Sequence, residues 1–527
     1  MDHRSIPAPD QSARRVRLAD APCSPAARPL VLAATILASS MVFIDGTVTN
    51  VALPALQQAY SATAAEVQWV IESYALFLAS VLLVGGSAGD RYGRRRVFQV
   101  GIVLFTAASV WCGMAGSVSQ LIWARAAQGV GGALLVPGSL ALISASFEPA
   151  IRGRAIGIWS GCTAITAALG PVLGGFLIEH LSWRFAFFLN LPLALVVLYL
   201  TWRHVPESRG RQQDRLDWVG AALAIVGLGS LVAGLILSSE AGWRDARVAC
   251  LLWLAALALA VFVMQERRHP APLLPLHLFR SRDFSGANLL TLLLYAALGG
   301  SLYFLPLNLI QVQGYTAFEA GAALLPFVLI MSLLSGWAGT LVDRHGSRRP
   351  LVLGPAIAAL GFGLLALPGT GGSYWTTFFP ALLVLGLGMA ISVAPLTTTV
   401  MNALEPSLVG AASGVNNAVS RLASLLAIAL FGIVMSIAFS AELSRLTHGL
   451  RPVLLQQVAA QQNRLAAIET PAAATQAEAL EVRSAINQAF VVGFRWIMLM
   501  SAGLALGSSF CAWRLISKQT TLHAAPG

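Results

Sequence analysis

The 527-residue sequence predicts an all-α integral membrane protein of about fourteen spans, built as two related halves with extra chain between them. Three observations lead there. Hydrophobic residues make up 57% of the chain and charged residues 11%, with a mean hydropathy of +0.72, whereas soluble domains carry about 25% charged residues. Apolar runs of roughly 20 residues, long enough as helix to cross about 30 Å of hydrocarbon, recur from end to end. Finally, the segment GDRYGRRR at 89–96 returns about 250 residues later as VDRHGSRR at 342–349, each between two apolar runs.

The runs lie near 30–54, 67–88, 97–116, 119–143, 155–178, 185–202, 217–238, 247–264, 285–311, 319–341, 351–368, 375–401, 409–437 and 489–512. They are continuously apolar rather than alternating, so they read as helices and not as barrel strands. An even number of spans puts both termini on one side.

Aligning Asp90 on Asp343 also aligns Arg91 with Arg344 and Gly93 with Gly346, with Gly86 and Gly339 each four residues upstream. A second pair, EPAIRGRAIG (148–157) and EPSLVGAASG (405–414), agrees in order and nearly in offset. Repeated halves of this kind are common among membrane transporters. Arg94 in the first loop copy is replaced by Ser347 in the second.

Roughly two dozen of the basic residues fall in the tails and the even-numbered connections, against about eight on the other face, which makes the termini and both DRxGxRR loops cytoplasmic. The net charge of +11 is then carried by short loops beside anionic lipid headgroups, and no nucleic-acid partner is expected. Residues 1–28, rich in Ala, Pro and Arg, read as a disordered cytoplasmic tail. A cleaved signal peptide is the rival reading, disfavoured because the first run continues to about residue 54 and carries polar residues. The five cysteines are dispersed without a C-x-x-C, so neither metal site nor disulfide is expected. The sole lysine, Lys518, lies outside any P-loop pattern. No nucleophile, metal cluster or large cytoplasmic domain suggests an enzyme or receptor.

Chemistry should reside in the few ionisable groups inside spans, because a charge at the bilayer centre costs at least about 2.5–3.5 kcal/mol unless it meets a cavity or a partner. Asp45, in FIDGTVTNVALP (43–54), reads as a carboxyl that takes up and releases a proton, with a structural hydrogen bond as the plainer alternative. Glu72, in WVIESYALF (69–77), is expected to face the same cavity, or else the interface. Arg125, in LIWARAAQGVGGALL (121–135), is a candidate partner that couples to a nearby carboxyl, with simple ion-pair packing as the alternative. Arg421, in GVNNAVSRLAS (414–424), either serves the cavity or snorkels to the cytoplasmic face.

Two motifs concern movement. ALGPVLGG (168–175) sets Pro171 inside the fifth span, where it removes a backbone donor, while Gly170, Gly174 and Gly175 allow a neighbour to approach closely. Such a helix suits the interface of two rocking halves. In the repeated loops, Asp90 can cap a helix or pair with an Arg, and Gly93 permits a tight turn. The loop is expected to act as a latch, the alternative being topology alone.

Together these segments resemble the major facilitator superfamily, and within it the fourteen-span drug:proton antiporters of the EmrB/QacA type, over residues 30–512. GGSAGDRYGRRRVF (85–98) resembles the loop between spans two and three, LIWARAAQGVGGA (121–133) the proton-linked span-four motif, and ALGPVLGG the antiporter signature of span five. IDGTVTNVALP (44–54), with Ile44 where Leu is usual, and WRFAFFLNLP (183–192) resemble signatures of the first and sixth spans. Thr166 stands where the antiporter pattern has Gly.

The resemblance implies a major facilitator fold: a six-helix bundle over 29–204, a linker with two additional transmembrane helices over 205–282, a second bundle over 283–515 with an outward loop at 440–488, and a cytoplasmic tail at 516–527. It implies a multidrug or small-molecule efflux transporter of the cytoplasmic membrane that works by alternating access, driven by the proton gradient without a cofactor. The expected substrates are small and lipophilic, with a weak preference for cations. The expected unit is a monomer. An uptake symporter, or an exporter of one metabolite or antibiotic, is the alternative. The outward loop is expected to be a solvated hairpin, or else amphipathic helix that meets a periplasmic adaptor.

Overall fold

The computed structural model describes residues 24, 26–209, 217–270, 272–274, 276–404, 409–471 and 473–517, and among them there is no β-strand. Most of both expected tails, and part of the second EP repeat at 405–408, lie outside the described residues.

Fourteen helical spans follow one another: α1 (Arg28–Tyr60), α2 (Ala64–Tyr92), α3 (Arg94–Met114), α4 (Val118–Ser146), α5 (Pro149–His180), α6 (Asn190–His204), α7 (Trp218–Ala241), α8 (Ala246–Arg268), α9 (Arg282–Leu307), α10 (Leu325–His345), α11 (Arg348–Leu365), α12 (Phe378–Asn402), α13 (Val409–Leu446) and α14 (Gln476–Leu515). With span six counted from Phe185 and span ten from Ala317, thirteen are long and apolar enough to cross a membrane along described residues, and α5 adds a shorter apolar stretch at Ile165–His180. The chain is a multi-pass membrane protein. Spans six and ten are each preceded by a short helical segment, Phe185–Phe188 and Ala317–Ala323.

Local chemistry sets the helix ends. Thr63 caps α2 in a capping box with Glu66, and Thr316 caps the segment leading into α10 in the same way with Glu319. These two boxes stand in equivalent places of the two halves, so the repeat extends beyond the Arg-rich loops. Thr475 and Glu478 build a third box at the start of α14. Each satisfies backbone donors that lipid could not.

The helices α1–α6 pack around one apolar core that includes Met41, Leu82, Phe98 and Phe105. A larger core runs through the C-terminal half, with Phe284, Phe362, Phe378 and Phe490. Between the halves stands α7: its Val232, Leu235 and Ile236 are buried with Leu76 of α2 and with Leu425, Ala429 and Ile433 of α13. Outward-facing apolar residues such as Trp253 (77% exposed) and Leu333 (78%) clothe the exterior, as a lipid solvent requires and water would not tolerate in such number.

Both termini of the bundle lie at one end, here the terminal face. At the opposite end, the loop face, α13 and α14 project beyond their expected limits of 437 and 489. The chain between them is not a solvated hairpin. Its helix Pro452–Ala460 buries Leu454 and Val458, and Leu465, Ala466 and Ile468 are buried beyond it. These apolar side chains draw the segment down onto the protein.

That segment fastens the two halves together at the loop face. Gln57 of α1 donates to the Arg464 carbonyl at 3.0 Å, and the Arg464 guanidinium donates to the Ser61 carbonyl at 3.1 Å. Gln311, just past α9, donates to Gln57 at 2.9 Å. Arg483 of α14 donates to the carbonyls of Gln311 (2.7 Å) and Ala466 (3.1 Å).

Candidate functional site

The polar interruption of α1 delivers Asp45 into the N-terminal bundle, where it is 1% exposed and faces Arg125 of α4, fully buried. Arg125 Nη1 donates to Asp45 Oδ2 at 2.5 Å and to Gln128 Oε1 at 2.7 Å. Gln128 Nε2 closes the ring by donating to Asp45 Oδ1 at 2.8 Å, and Asn190 of α6 approaches the same oxygen at 3.4 Å. Arg125 Nε donates to the Val70 carbonyl at 3.1 Å. Its guanidinium lies over the Tyr74 ring, 4.1 Å from the centroid.

Taking two charges out of water costs several kcal/mol per ion, which an ion pair offsets only when further hydrogen bonds occupy the remaining positions. Gln128, Asn190 and the Val70 carbonyl occupy most of those positions and the guanidinium lies over the Tyr74 ring, while Arg125 Nη2 is buried with no hydrogen-bond partner among the described residues. The network extends to α3, since Asn190 donates to Ser109 at 2.9 Å and Ser109 donates to the Phe187 carbonyl at 2.8 Å.

Small residues on α4 make this approach possible. A Cβ on Gly129 would lie 2.5 Å from the Tyr74 carbonyl oxygen of α2, and one on Gly131 would lie 2.5 Å from Phe105 N of α3. Both distances are far inside contact, so a side chain at Gly129 would push α4 and its Arg125 away from α2, and one at Gly131 would push α4 away from α3.

Glu72 has a different setting. It is 0% exposed, and neither carboxyl oxygen has a hydrogen-bond partner. Gln68, one turn earlier on α2, and Tyr303 of α9 in the other half interact with it. The expectation that Asp45 and Glu72 share one cavity is therefore corrected. Asp45 is enclosed by groups of the N-terminal bundle, whereas Glu72 meets the C-terminal half, because the Val70 and Tyr74 positions of α2 are already committed to Arg125.

Arg421 of α13 is partly buried and lies within electrostatic range of Tyr74. Tyr74 thus lies within range of both Arg421 and Arg125, and Arg421 has no carboxylate bonded to it among the described residues. Nearby, Asn416 donates to Thr291 at 2.7 Å and to Asn288 at 3.3 Å, which ties α13 to α9.

The span-five glycines form two contacts. A Cβ on Gly174 would lie 2.7 Å from Val48 Cγ1, and Gly170 abuts Thr47, so this face of α5 fits against α1 beside Asp45. Gly175 meets the opposite half, where its Cβ would lie 2.6 Å from Phe318 Cα. Gly321 in turn packs on Pro171, its Cβ position 2.6 Å from the Pro171 carbonyl carbon. Pro171 and Gly175 therefore sit on the seam between the halves, near the loop face.

At the terminal face, Asp90 accepts from Arg94 Nε at 2.8 Å, one turn along. Gly93 adopts φ +112°, and Gly346 in the repeat adopts φ +72°, the left-handed region that glycine enters without strain. Glu207, beyond α6, receives the Arg95 backbone N–H at 3.0 Å and lies 3.8 Å from Arg95 and 3.6 Å from Arg96. Arg91 is exposed beside Tyr92. Gly86 lies within α2 near Pro137 of α4. Among the described residues, every partner of the first loop belongs to the N-terminal bundle or to the chain just beyond α6, so it does not bond to the C-terminal half in this conformation. In the second copy, Arg344 is exposed, and the side chain of Asp343 lies outside the described residues.

Among the described residues no group of three or more His, Cys, Asp or Glu is placed to hold a metal. Sequence reasoning overlooked Gln128, Asn190, Tyr74, Gln68 and Glu207. Gln128 was open to discovery, being one turn from Arg125 within an otherwise apolar segment, and so was Asn190 in WRFAFFLNLP. Nothing local in the sequence singles out Glu207 or Tyr74.

Residues 35–428 match the Major Facilitator Superfamily. A multidrug resistance protein, Stp, of Mycobacterium tuberculosis (strain CDC 1551 / Oshkosh) is 37% identical over 420 residues, covering 79% of this chain and 77% of that protein. The tetracenomycin C resistance and export protein of Streptomyces glaucescens is 34% identical, covering 75% and 74%. The puromycin resistance protein pur8 of Streptomyces alboniger is 36% identical, covering 80% and 84%. In fold, the chain is similar to a bacterial homologue of the lysosomal transporter Spinster, solved inward-facing and unoccupied, with a TM-score of 0.64 at 17% identity and coverage of 94% and 99%. It is also similar to a D-xylose–proton symporter, with a TM-score of 0.59 at 16% identity and coverage of 93% and 98%. Fourteen spans, two halves built on one repeated plan, an Asp–Arg pair buried in the first bundle and this breadth of likeness leave one assignment: the chain belongs to the Major Facilitator Superfamily.

Proposed function

We propose that the protein exports small lipophilic compounds, weakly favouring cations, across the cell membrane in exchange for protons, by alternating access between its halves. The observation that carries this reading is the presence of two buried acids in contrasting states on adjoining helices: Asp45 paired with Arg125, and Glu72 without a hydrogen bond. The relatives named for drug resistance and export support the direction of transport.

In the proposed cycle a proton neutralises one acid while substrate leaves. Protonation of Asp45 removes the charge opposite Arg125, whose guanidinium retains Gln128, the Val70 carbonyl and the Tyr74 ring. Released from its counter-charge, Arg125 favours a different packing of α1 against α4, and that preference is the coupling. Glu72, at the seam with Tyr303, carries the second proton site. Neither step involves a metal, a cofactor or covalent chemistry, and the protein acts as a transporter rather than an enzyme.

The Arg excess on one set of connections supports cytoplasmic termini, with the loop face outside. The protein works as a monomer. The packed 440–488 segment favours a gate over a periplasmic adaptor contact. The test is purified protein in liposomes, with ethidium, puromycin and a quaternary amine as substrates and internal pH recorded alongside substrate flux. Coupled, opposed fluxes are expected. Substrate movement indifferent to an imposed pH gradient overturns the reading.

A further inference from the structure

A line of polar groups leads from the loop face to Glu72. It begins in a cavity of about 460 Å³ lined by Gln58, Glu469, Thr470 and Arg483. Gln57, Gln311 and Arg464 form its floor, and the same three residues roof a second, smaller space of about 50 Å³. Gln68, Tyr303, Gly432 and Ser436 line that inner space. A space of this size is large enough for at least one water. Glu72 is not in the lining itself, but it stands one turn beyond Gln68 on α2 and within electrostatic range of Tyr303, and both of those residues are in the lining.

Orphaned groups cluster along this line. Gln68 Nε2 and both Glu72 oxygens are buried without a hydrogen-bond partner, although a buried polar group left unpaired costs about 1–3 kcal/mol. Such groups mark a place for water or an ion in transit. Gly432 keeps the space open, since a Cβ there would lie 2.7 Å from Gln68 Oε1. The rest of the surroundings add no competing charge: Arg125 of α4 is paired with Asp45 of α1, Arg421 of α13 faces Tyr74, and α7 has no ionisable residue between Trp218 and Ser238. From α9, Tyr303 is the ionisable side chain that interacts with Glu72.

We infer that this column is the proton's path between the loop face and Glu72, with Arg464 as its lid and the inner water as its last relay. Hydronium in the outer cavity passes a proton through the relay water to the Glu72 carboxylate, leaving water behind and a neutral carboxyl at the seam. The Arg464 guanidinium is already protonated and offers no lone pair to accept that proton, and its bond to the Ser61 carbonyl holds the gap narrow while the loop face is closed. The inference rests on the proton-exchange reading above and adds a route and a gate to it.

Two variants test it. In Gly432→Leu the added side chain fills the inner space, and substrate-driven proton flux in liposomes is expected to fall at least tenfold, with substrate affinity, read by tryptophan fluorescence, within twofold of the parent. Proton flux within twofold of the parent overturns the route. The second measurement does not depend on transport: Ser436→Cys in the full chain is titrated with a small membrane-impermeant methanethiosulfonate from each side. Reaction from the loop face, accelerated at least fivefold by adding Arg464→Ala, is expected. Reaction from the terminal face alone, or a rate unchanged by Arg464→Ala, overturns the path even if coupled transport stands. If the parent itself moves no protons with substrate, the exchange reading fails, while the labelling rates still decide whether the column opens.

Discussion

Replacing Asp45 with Asn separates the structural part of its role from the functional part. Arg125 is fully buried and holds two side-chain bonds through Nη1, of which the one to Asp45 at 2.5 Å alone brings an opposite charge. Breaking a buried pair by removing one member costs about 3–5 kcal/mol, because the survivor is left uncompensated. The amide oxygen introduced by Asp45→Asn can still accept from Arg125, which places the expected loss at the lower end, about 3 kcal/mol. In Asp45→Asn/Arg125→Met the charge is gone from both sides, and most of that loss should return. The assay is unfolding in mixed micelles for both single variants and the double variant, followed by drug-driven proton flux in liposomes. Export should vanish in all three, although the double variant is nearly as stable as the parent. A cost below about 1 kcal/mol for Asp45→Asn, together with normal export, refutes the reasoning.

Further outcomes follow from the same geometry. Arg125→Lys keeps the charge but loses the Nε bond to Val70 and the flat stacking on Tyr74, so it should fold and insert yet lose export, checked by expression yield and dye efflux. Gly175→Val forces a side chain into Phe318 across the seam; at about 1–3 kcal/mol of overpacking, the loop-closed state should lose about 5- to 150-fold in population, visible as faster thiol labelling at the loop face. Gly93→Ala places a methyl 2.8 Å from a Glu207 carboxylate oxygen in a left-handed backbone, at about 1–3 kcal/mol of strain, and should raise protease cleavage near 89–96. Glu207→Ala removes the backbone cap of Arg95 and should increase cleavage there by a smaller factor.

Much of the architecture is legible in the sequence because lipid leaves few alternatives. Continuous apolar runs must become helices, and the run positions match the observed spans apart from their ends. The ends of α13 and α14 escape the reading because the helices continue into polar, Ala-rich chain at the loop face, where hydropathy no longer marks the helix. The same weakness hides the packing of 452–470: Leu454 and Val458 stand at the i, i+4 spacing of one helix face, but two such positions in so short a helix do not say whether that face meets protein. Of the site, the Asp45–Arg125 contact can be anticipated from two charges in apolar surroundings, but not its partners Gln128 and Asn190, whose roles depend on how α4 and α6 meet α1. The separation of Glu72 from Asp45 is a tertiary fact; α2 offers Val70 and Tyr74 to one half and Glu72 to the other, and no spacing rule chooses between the faces. The second capping box, at Thr316 and Glu319, is present in the sequence as a repeat of Thr63 and Glu66, a signal as plain as the Arg-rich loops.

The most direct measurement is the number of protons moved per substrate in liposomes holding the parent protein or Glu72→Gln, with a pH-sensitive dye inside and a fluorescent cation as cargo. The parent should move protons against cargo in a fixed ratio that persists over a range of imposed gradients, and Glu72→Gln should lose that ratio while still binding cargo. An unchanged ratio in Glu72→Gln would contradict its role as a proton site, and cargo efflux without any proton movement in the parent would contradict proton-coupled export itself.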